Sequence, residues 1–475
     1  MVSARVVIAG AGISGLASAF EIREQSAATG AAVEVVVLEK DARAGGKMFT
    51  ESAEGYLCEW GPNGYLDSKV HATEFMNRVG LCDELLPANN AVNRRYLFAK
   101  GRLHILPDSP GRFLFSGLLS RRARLRVMLE PFKKPAPLEL DESVSEFATR
   151  RLGREALEML LDPFVAGVFA GNPDLLSLAS CFPRIHEMEQ TCGSLVKALF
   201  SLRKKRRLEK RSARKAGRTV AGATAPRGHL TSLKRGMGQL VEALEAALGS
   251  SLVRGCEVKA LKKKGCAFEV LTTRGSVDAD AVVLSVPAFE AAGILREVFP
   301  PAAAPLEEIE YNSLWVASLG FDEKSLARPL DGYGFLTPRS EGRRILGCLW
   351  SSSIFPARAP GGKVLLTVMV GGSRNPDLAR LPAERILPLV REELADILGI
   401  ASGPEFVRLR RHEKAIPQYT VGHALRLAAL AEALRDEPGV FLAGNAYRGV
   451  AMADCILQAR RSAGEVLTFL HSRPA

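Results

Sequence analysis

The stretch RVVIAGAGISGLASAFEIREQSAATGAAVEVVVLE, residues 5–39, decides the fold of this chain. A β-branched run from Arg5 to Ala9 leads into the glycine turn GAGISG at 10–15, and small residues then predict a helix from about Ser14 to Ala28. A second β-branched run ends at Glu39. This order of strand, turn, helix, strand and acid is typical of a βαβ unit that binds a dinucleotide.

Each glycine of the turn has its own role in such a unit. Gly10 makes the tight turn, Gly12 lets the backbone approach a diphosphate, and Gly15 lets the helix pack closely on the strand. The N-terminus of the helix then points unpaired N–H groups and a partial positive charge at the phosphates. Glu39 stands where a carboxylate accepts hydrogen bonds from a ribose, and an acid there disfavours a 2′-phosphate. The alternative is a purely structural turn.

The next glycines distinguish an FAD-binding protein from an NAD-binding one. Arg43 is followed after one residue by Gly45 and Gly46. This pattern resembles the second glycine motif that large FAD-dependent oxidoreductases place directly after the ribose-binding acid. An exposed flexible turn is the alternative interpretation.

Length and composition indicate a soluble protein of several domains. The chain has 475 residues, of which 47% are hydrophobic and 24% charged, with a formal net charge of +12. These values exclude fibrous, disordered and membrane-spanning classes, and 475 residues exceed a usual single domain. The eight cysteines include no CxxC pair and the seven histidines form no metal pattern, so we expect a reducing compartment and no metal site.

One segment carries most of the positive charge. Residues 203–218, RKKRRLEKRSARKAGR, contain ten basic residues and one Glu. A solvated loop, a nucleic-acid contact and an anionic lipid contact are the three interpretations. The run has no interleaved aromatic residues, which disfavours nucleic acid.

The rest of the chain alternates between helical and strand-like regions. Residues from about 101 to 218 are predicted to be mostly helical, and 306–400 alternate strand-like runs with turns, which indicates an antiparallel sheet. Further elements predicted from the pattern are a helix at 237–248, short strands near Glu257, Phe268 and Val277 in a meander that returns to the first sheet, strands at 281–286 and 440–443, and a helix from about Met452 to Leu470.

Longer segments give a specific family resemblance. The first 65 residues resemble the flavin-containing amine oxidase superfamily, and later segments resemble its protoporphyrinogen oxidases, oxygen-dependent flavoenzymes of heme biosynthesis. Those segments occur in the family's order: GPNGYLD at 61–67, DPFVAGVFAGNPDLLSLASCFPRI at 162–185, GYGFLTP at 332–338, MVGGSRNPDL at 369–378, AIPQYTVGH at 415–423 and AGNAYRGVAMADCI at 443–456.

The resemblance implies an α/β fold with three parts. These are a discontinuous Rossmann-like FAD-binding domain, an α+β substrate-binding domain with an antiparallel sheet, and a helical membrane-binding lobe. The corresponding ranges are 1–90, 226–300 and 405–475 for the FAD-binding domain, 91–100 and 301–404 for the substrate-binding domain, and 101–225 for the lobe.

The resemblance also implies non-covalent FAD. A helix starting near Met452 would direct its positive end at the edge of the flavin that gains negative charge on reduction. Lys47 stands where relatives commonly have Arg, and His412 where some have Trp. The implied cofactor contacts are Gly10, Ala11, Gly12, Ile13, Ser14, Gly15, Glu39, Lys40, Arg43, Gly46, Lys47, Gly61, Pro62, Asn63, Gly64, Val258, His412, Gly444, Gly449, Val450 and Ala451.

For the substrate, the resemblance implies a tetrapyrrole between apolar walls. Asn63 would position the ring and Arg95 would bind a propionate, with Arg94 as a competing partner; Asn63 and Arg95 are our candidate catalytic residues. A bidentate guanidinium suits a buried carboxylate. The walls would be Tyr333, Leu336, Leu349 and Met369. No residue is assigned as general base.

The resulting hypothesis is an FAD-dependent oxidase that converts protoporphyrinogen IX to protoporphyrin IX and reduces dioxygen to hydrogen peroxide. Coproporphyrinogen III oxidation, a flavin amine oxidase or carotenoid desaturase activity, and a non-enzymatic, flavin-stabilised membrane adaptor that uses the basic lobe are the alternatives. The expected location is the cytoplasm, with peripheral attachment to the anionic inner face of the cell membrane. A homodimer is left open, and no nucleic-acid partner is expected.

Overall fold

A computed structural model describes residues 4–107, 115–201, 204 and 228–473 of the chain. The basic run 203–218, apart from Lys204, lies outside the described residues, so the structure does not test its interpretation.

A five-stranded parallel sheet forms the first layer. Its central strand has four side chains, from Val6 to Ala9, with no solvent exposure, because helices cover both faces of such a sheet. Three distant parts of the chain contribute strands, as the sequence predicts. In spatial order the strands are Leu252–Arg254, Val33–Glu39, Ala4–Ala9, Ala281–Leu284 and Val440–Leu442.

Two long helices, Ile13–Thr29 and Met452–Ser472, pack side by side on this sheet. The two helices run in the same direction. Cys455 contacts Ser14 in the first turns of both helices, and the Gln25 side chain donates to Arg460 O (3.5 Å) later in both. Both helix N-termini therefore lie at one end of the pair. Both helices occur where the sequence predicts them.

The predicted meander is present as a sheet of its own. Strands Val258–Lys264, Ala267–Thr272 and Gly275–Ala279 pair antiparallel with one another. Only the following strand, Ala281–Leu284, joins the parallel sheet.

A seven-stranded sheet forms the second layer. Its strands, in spatial order, are Phe406–His412, Leu314–Asp322, Lys363–Gly371, Ile345–Trp350, Gly332–Leu336, Arg94–Ala99 and Arg102–Ile105. All pairs are antiparallel except Gly332–Leu336 with Arg94–Ala99.

Two strands of this sheet lie outside the range expected for the substrate-binding domain. Arg102–Ile105 falls in the expected lobe, but Lys100 and Gly101 (φ 54° and 71°) turn the chain back into a hairpin. Phe406–His412 falls in the expected FAD-binding range, but it pairs along the whole edge of Leu314–Asp322. The division into three domains itself stays a prediction.

The two faces of the seven-stranded sheet differ. One face carries Tyr96, Phe98 and Trp350 and is covered by helix Ala383–Leu398, which the sequence pattern does not predict. The opposite face carries Leu336 and Met369, because Leu336 is aligned with Gly347 and Gly347 with Met369.

Residues 115–201 are mostly helical, as predicted. The fully buried Arg151 connects separate segments of this region. Its Nε lies 2.8 Å from a carboxylate oxygen of Glu189, and its Nη1 donates to Lys133 O (2.7 Å). Among the described residues, no helix is both long enough and apolar enough to cross a membrane. The helices here are Arg121–Met128, Val144–Arg151, Arg154–Ala156, Asp162–Phe169, Leu178–Cys181 and Pro183–Cys192, with a π-helical turn at Leu157–Leu161.

The remaining elements connect the layers. Strands Thr50–Ala53 and Tyr56–Glu59 form a hairpin, and Tyr65–Leu66, Leu230–Leu233 and Leu85–Pro87 form a small sheet. The other helices are Val70–Arg78, Gly238–Leu248, Ala288–Leu295, Pro300–Glu307, Ser351–Ile354, Pro376–Arg380 and His423–Ala433.

Candidate functional site

The glycine turn lies at the carboxyl end of the central parallel strand, where open α/β sheets bind their ligands. Gly10 has φ +93°, and a Cβ there would lie 2.9 Å from Ser285 O. A Cβ on Gly15 would lie 1.9 Å from Gly10 O. The turn therefore accepts no side chain at either position, which agrees with the tight turn and the close helix packing inferred from the sequence.

Gly12 differs from its neighbours, because a Cβ built on it would meet no heavy atom within 4 Å. It precedes helix Ile13–Thr29, and no side chain caps the N-terminus of that helix. The second glycine pair lies alongside: Gly45 N donates to Ala11 O (2.7 Å), and Gly46 is close by, since a Cβ on it would lie 3.5 Å from Gly12 Cα. Bare backbone and an uncapped helix end thus border an open groove, which we call the glycine groove. Such a groove suits a diphosphate.

Glu39 ends the neighbouring strand and is only 6% exposed. Its Oε2 accepts from Ala11 N (2.7 Å) and its Oε1 from Asp41 N (2.9 Å). A carboxylate oxygen has two lone pairs, so each oxygen keeps the capacity to accept a ribose hydroxyl. Val258 is brought to this region as well, since Cys256 N donates to Glu39 O (2.8 Å).

The N-terminus of the second long helix, Met452–Ser472, adds another set of unpaired backbone N–H groups to the site. The loop 444–449 leads into helix Met452–Ser472, whose first turn lies beside Ser14. Gly449 has φ +89°, and a Cβ there would lie 2.6 Å from Asp454 Cβ. Val450 is half-buried and Ala451 is exposed. Two uncapped helix ends at one crevice fit a cofactor with an anionic diphosphate and an electron-accepting ring.

Lys47 connects the glycine groove to the second layer. Its Nζ donates to Ala415 O (2.5 Å) and lies 5.2 Å from the centre of the Tyr311 ring. Burial lowers the pKa of Lys47 to about 8, and Glu290 opposes this shift only at a distance. Burial, Arg410 and Lys47 together lower the pKa of His412 to about 4, so this imidazole is neutral at physiological pH.

The segment 61–64 lies next to Lys47. A Cβ on Gly61 would be 2.2 Å from Lys47 O, and one on Gly64 would be 2.5 Å from Thr231 O, so the segment is held between two backbones. Pro62 and Asn63 are half-buried. Asn63 thus sits between the glycine groove and the small sheet.

The four predicted wall residues gather around this segment. All are half-buried apolar or aromatic side chains, as expected for a lined slot rather than a closed core. Met369 packs in one cluster with Trp60, which precedes Gly61, while Leu349 packs with Leu230 of the small sheet. We call Tyr333, Leu336, Leu349 and Met369, which the family resemblance predicts to contact a substrate, the substrate slot.

Helix Asp162–Phe169 covers one side of the substrate slot. A Cβ on Gly167 would lie 3.0 Å from Leu336 Cδ2, so the helix approaches the slot through a residue without a side chain. Asp162 anchors this helix, because its Oδ2 accepts from Arg374 Nη2 (2.9 Å) and from Arg339 N (2.8 Å).

The two candidate arginines have different surroundings. Arg94 pairs with Asp331, and hydrogen bonding with Tyr96 and with Asp331 raises the pKa of Arg94. Arg95 lies 5.0 Å over the Tyr333 ring, and within the described residues it makes no ion pair. Arg95 is therefore the guanidinium left available for a carboxylate at the slot.

Lys40 stands apart from the other predicted cofactor residues. It is exposed, and its Nζ bonds Glu290 Oε1 (2.5 Å). Arg410, in contrast, is absent from the predicted contacts, yet it contacts Phe49 near the glycine pair. The alternation of Arg408, Arg410 and His412 along one strand is the sequence signal that could have indicated it.

A separate cavity of about 310 Å³ lies on the covered side of the seven-stranded sheet. Phe321, Arg391 and Glu392 line it. It faces helix Ala383–Leu398, away from the substrate slot, and we assign it no part in the site.

Comparison with known proteins places this geometry in a family. The sequence profile of the flavin containing amine oxidoreductases matches residues 13–467. Coproporphyrinogen III oxidase of Bacillus subtilis (strain 168) is 32% identical over 98% of both chains. The chloroplastic protoporphyrinogen oxidase of Nicotiana tabacum is 33% identical over 98% of this chain and 85% of its own. A crystal structure from Exiguobacterium sp. 255-15, assigned as a protoporphyrinogen oxidase, is 26% identical with a TM-score of 0.81, and covers 99% of this chain and 100% of that one.

Proposed function

The chain belongs to the flavin containing amine oxidoreductase family, and from that membership we propose that it is an FAD-dependent oxidase of porphyrinogens, with protoporphyrinogen IX as substrate. It is an enzyme and its cofactor is FAD. The product is protoporphyrin IX, and dioxygen is the electron acceptor.

The observation that carries the substrate proposal is the position of the substrate slot. Three of its residues, Leu336, Leu349 and Met369, share one sheet face, and Leu349 and Met369 pack near the segment 61–64. The guanidinium of Arg95, which makes no ion pair within the described residues, lies over the ring of Tyr333. An apolar wall with one carboxylate-binding group suits a flat, largely apolar ring that carries propionates.

When bound, FAD supplies the oxidation, because its ring accepts a hydride and passes electrons to dioxygen. The protein supplies binding and orientation. The glycine groove and Glu39 would hold the dinucleotide, and Asn63 would position the macrocycle against the ring. Arg95 would fix a propionate, and the apolar slot would exclude water from the reacting carbon.

A direct experiment tests this function against its alternatives. The purified full chain is supplied in turn with protoporphyrinogen IX, coproporphyrinogen III and benzylamine, while porphyrin fluorescence and hydrogen peroxide are followed. We expect porphyrin and peroxide to appear together with protoporphyrinogen. Oxidation of the amine, with both porphyrinogens unchanged, would identify an amine oxidase instead. A protein that stays colourless after FAD is added would exclude both the porphyrinogen oxidase and the flavin amine oxidase.

Coproporphyrinogen III is the second candidate substrate, and one observation favours it. The relative from Bacillus subtilis (strain 168), 32% identical over 98% of both chains, is a coproporphyrinogen III oxidase. The rates with the two porphyrinogens decide between the two candidates.

The depressed pKa of Lys47 predicts a pH dependence of FAD binding. The ammonium is charged below its pKa of about 8 and loses its charge as the pH rises through that value. The affinity of the flavin-free protein for the anionic FAD should therefore fall roughly tenfold between about pH 7 and about pH 9.5. Titration of flavin fluorescence over this range measures it.

Lys47→Arg is the matched variant, because a guanidinium does not titrate in this range. We expect its FAD affinity to stay constant with pH. An equal decline in the variant would mean that another group causes it, and His412, whose pKa is about 4, is already neutral throughout.

Membrane attachment is a further part of the proposal, and residues 115–140 support it. Phe132 is 83% exposed, and Leu125 and Met128, three positions apart on helix Arg121–Met128, are each 58% exposed. Basic side chains surround these apolar groups, namely Arg121, Arg122, Lys133 and Lys134, all exposed. An apolar surface bordered by cations binds the interface of an anionic bilayer. The site would be the cytoplasmic face of the cell membrane.

Replacing Phe132 and its neighbour Leu129, which is 46% exposed, by Ser should weaken this attachment. Each side chain buried in the interface contributes about 1.5–3 kcal/mol, so partition onto phosphatidylglycerol vesicles should fall by at least about tenfold in the double variant. Sedimentation of the protein with vesicles measures the bound fraction. Val70→Ser, which alters an exposed residue of helix Val70–Arg78, serves as control. Equal binding by all three proteins would exclude this surface.

A further inference from the structure

Strand Phe406–His412 carries a row of basic residues at the junction of the two layers. Arg408, Arg410 and His412 share one face of the strand, since alternate residues point the same way. Arg408 is fully paired there: its Nε contacts Glu51 Oε1 and its Nη2 contacts Glu54 Oε1, both at 3.1 Å. Arg410, the next residue on the same face, has no such acid among the described residues.

Arg410 instead shares an aromatic ring with a second guanidinium. Arg410 Cζ lies 4.9 Å and Arg43 Cζ 4.5 Å from the centre of the Phe49 ring. Within the part of the chain that the structure describes, neither arginine makes an ion pair with a carboxylate. Two like charges on one ring repel each other, so a folded protein keeps them together only at a cost.

The arginine pair lies at the glycine groove. Arg43 donates to Ala44 O (2.7 Å) and Gly46 O (2.6 Å), which fixes its guanidinium at the second glycine pair. Two guanidiniums from two layers thus meet where bare backbone borders open space, and an anion would compensate their mutual repulsion.

We propose that Arg410 is a counter-ion for the diphosphate of FAD, supplied by the seven-stranded sheet to a cofactor held mainly by the parallel sheet. The inference rests on the proposed FAD binding and adds a residue and a role to it. Because Arg410 belongs to the sheet that carries the substrate slot, the bound cofactor would join the two layers through charge. The phosphates, and not the flavin ring, would be the group that Arg410 recognises.

The test compares a ligand with phosphates to one without them. Full-length protein freed of its flavin is titrated with FAD and with riboflavin, over a range of salt concentrations, as wild type, Arg410→Gln and Arg411→Gln. Arg411 is the matched control, since it loses the same charge from the opposite face of the strand. Flavin fluorescence gives both dissociation constants, so the readout is binding and not turnover.

We expect Arg410→Gln to raise the dissociation constant for FAD by about ten- to a hundredfold, the usual range for a charge-assisted hydrogen bond, and to reduce its salt dependence. Riboflavin binding should be unchanged, and Arg411→Gln should behave as wild type. Arg410→Lys, which keeps the charge, should recover most of the affinity. If Arg410→Gln yields no folded protein, Arg410→Met replaces it.

Unchanged FAD affinity in the neutral variant, or an equal loss of riboflavin affinity, would overturn the proposal. An equal loss in Arg411→Gln would also overturn it, because a general change of charge would then be the cause. Failure of the proposed function is a separate result: a wild type that binds FAD but oxidises no porphyrinogen leaves the role of Arg410 to be judged on these titrations alone.

Discussion

Gly12→Val should leave the protein folded and abolish its binding of FAD. A Cβ at this position meets no protein atom within 4 Å, and the backbone of Gly12 (φ −66°, ψ 172°) is extended, a conformation that any residue adopts. The added isopropyl group would therefore occupy the open space that we assign to the diphosphate. We expect the dissociation constant for FAD to rise by more than about a hundredfold, because the backbone could no longer approach the phosphates.

The two halves of this prediction need separate measurements. Circular dichroism and thermal unfolding of the flavin-free protein should match wild type, while a fluorescence titration should detect little FAD binding. Gly361→Val is the control, since Gly361 also has no neighbour within 4 Å of its Cβ position and lies in a distant turn. A yellow Gly12→Val protein with normal affinity would place the cofactor elsewhere.

Arg95→Ala should raise the KM for protoporphyrinogen by roughly one to two decades while flavin content stays constant. The expected size is that of losing a charge-assisted hydrogen bond, about 1.5–3 kcal/mol. Arg95 stacks on Tyr333 and makes no ion pair in the described part of the chain, so its guanidinium is free for a propionate. Steady-state porphyrin fluorescence measures both KM and kcat.

Arg94→Ala provides the comparison for this effect. Arg94 is already paired with Asp331, so its removal should change KM by less than about threefold. If the two variants exchanged these effects, the propionate would bind Arg94. If neither altered KM, the carboxylate would lie at another part of the slot.

The parts of the fold that the sequence predicts are those with a local cause. The glycines at 10, 12 and 15, the β-branched strands and the helix after them are each specified by their neighbours. Both long helices and four of the five parallel strands are therefore confirmed, whereas Leu252–Arg254 is not predicted. Helix Ala383–Leu398 is not predicted, although apolar residues recur along it at helical spacing. Pro388 inside the helix obscures that signal, because proline usually ends a helix.

The features that cannot be predicted from the sequence depend on distant pairings. The difference between Arg94 and Arg95 follows from Asp331, more than two hundred residues away in the chain. The domain boundary at Phe406–His412 depends on pairing with Leu314–Asp322. The unpaired charge of Arg410 is apparent only beside Arg408, whose acids come from residues 51 and 54.

Direct transfer of electrons from a porphyrinogen to FAD held in this crevice is the central claim about the protein. Mixing the yellow protein with protoporphyrinogen IX in the absence of oxygen tests that claim, with flavin absorbance and porphyrin fluorescence recorded together. We predict that the yellow colour disappears, and that admitting oxygen restores the colour with release of peroxide and the appearance of porphyrin fluorescence, because conversion to the porphyrin removes more electrons than one flavin accepts. Flavin that stays oxidised with both porphyrinogens, yet is bleached by an amine, would contradict the claim.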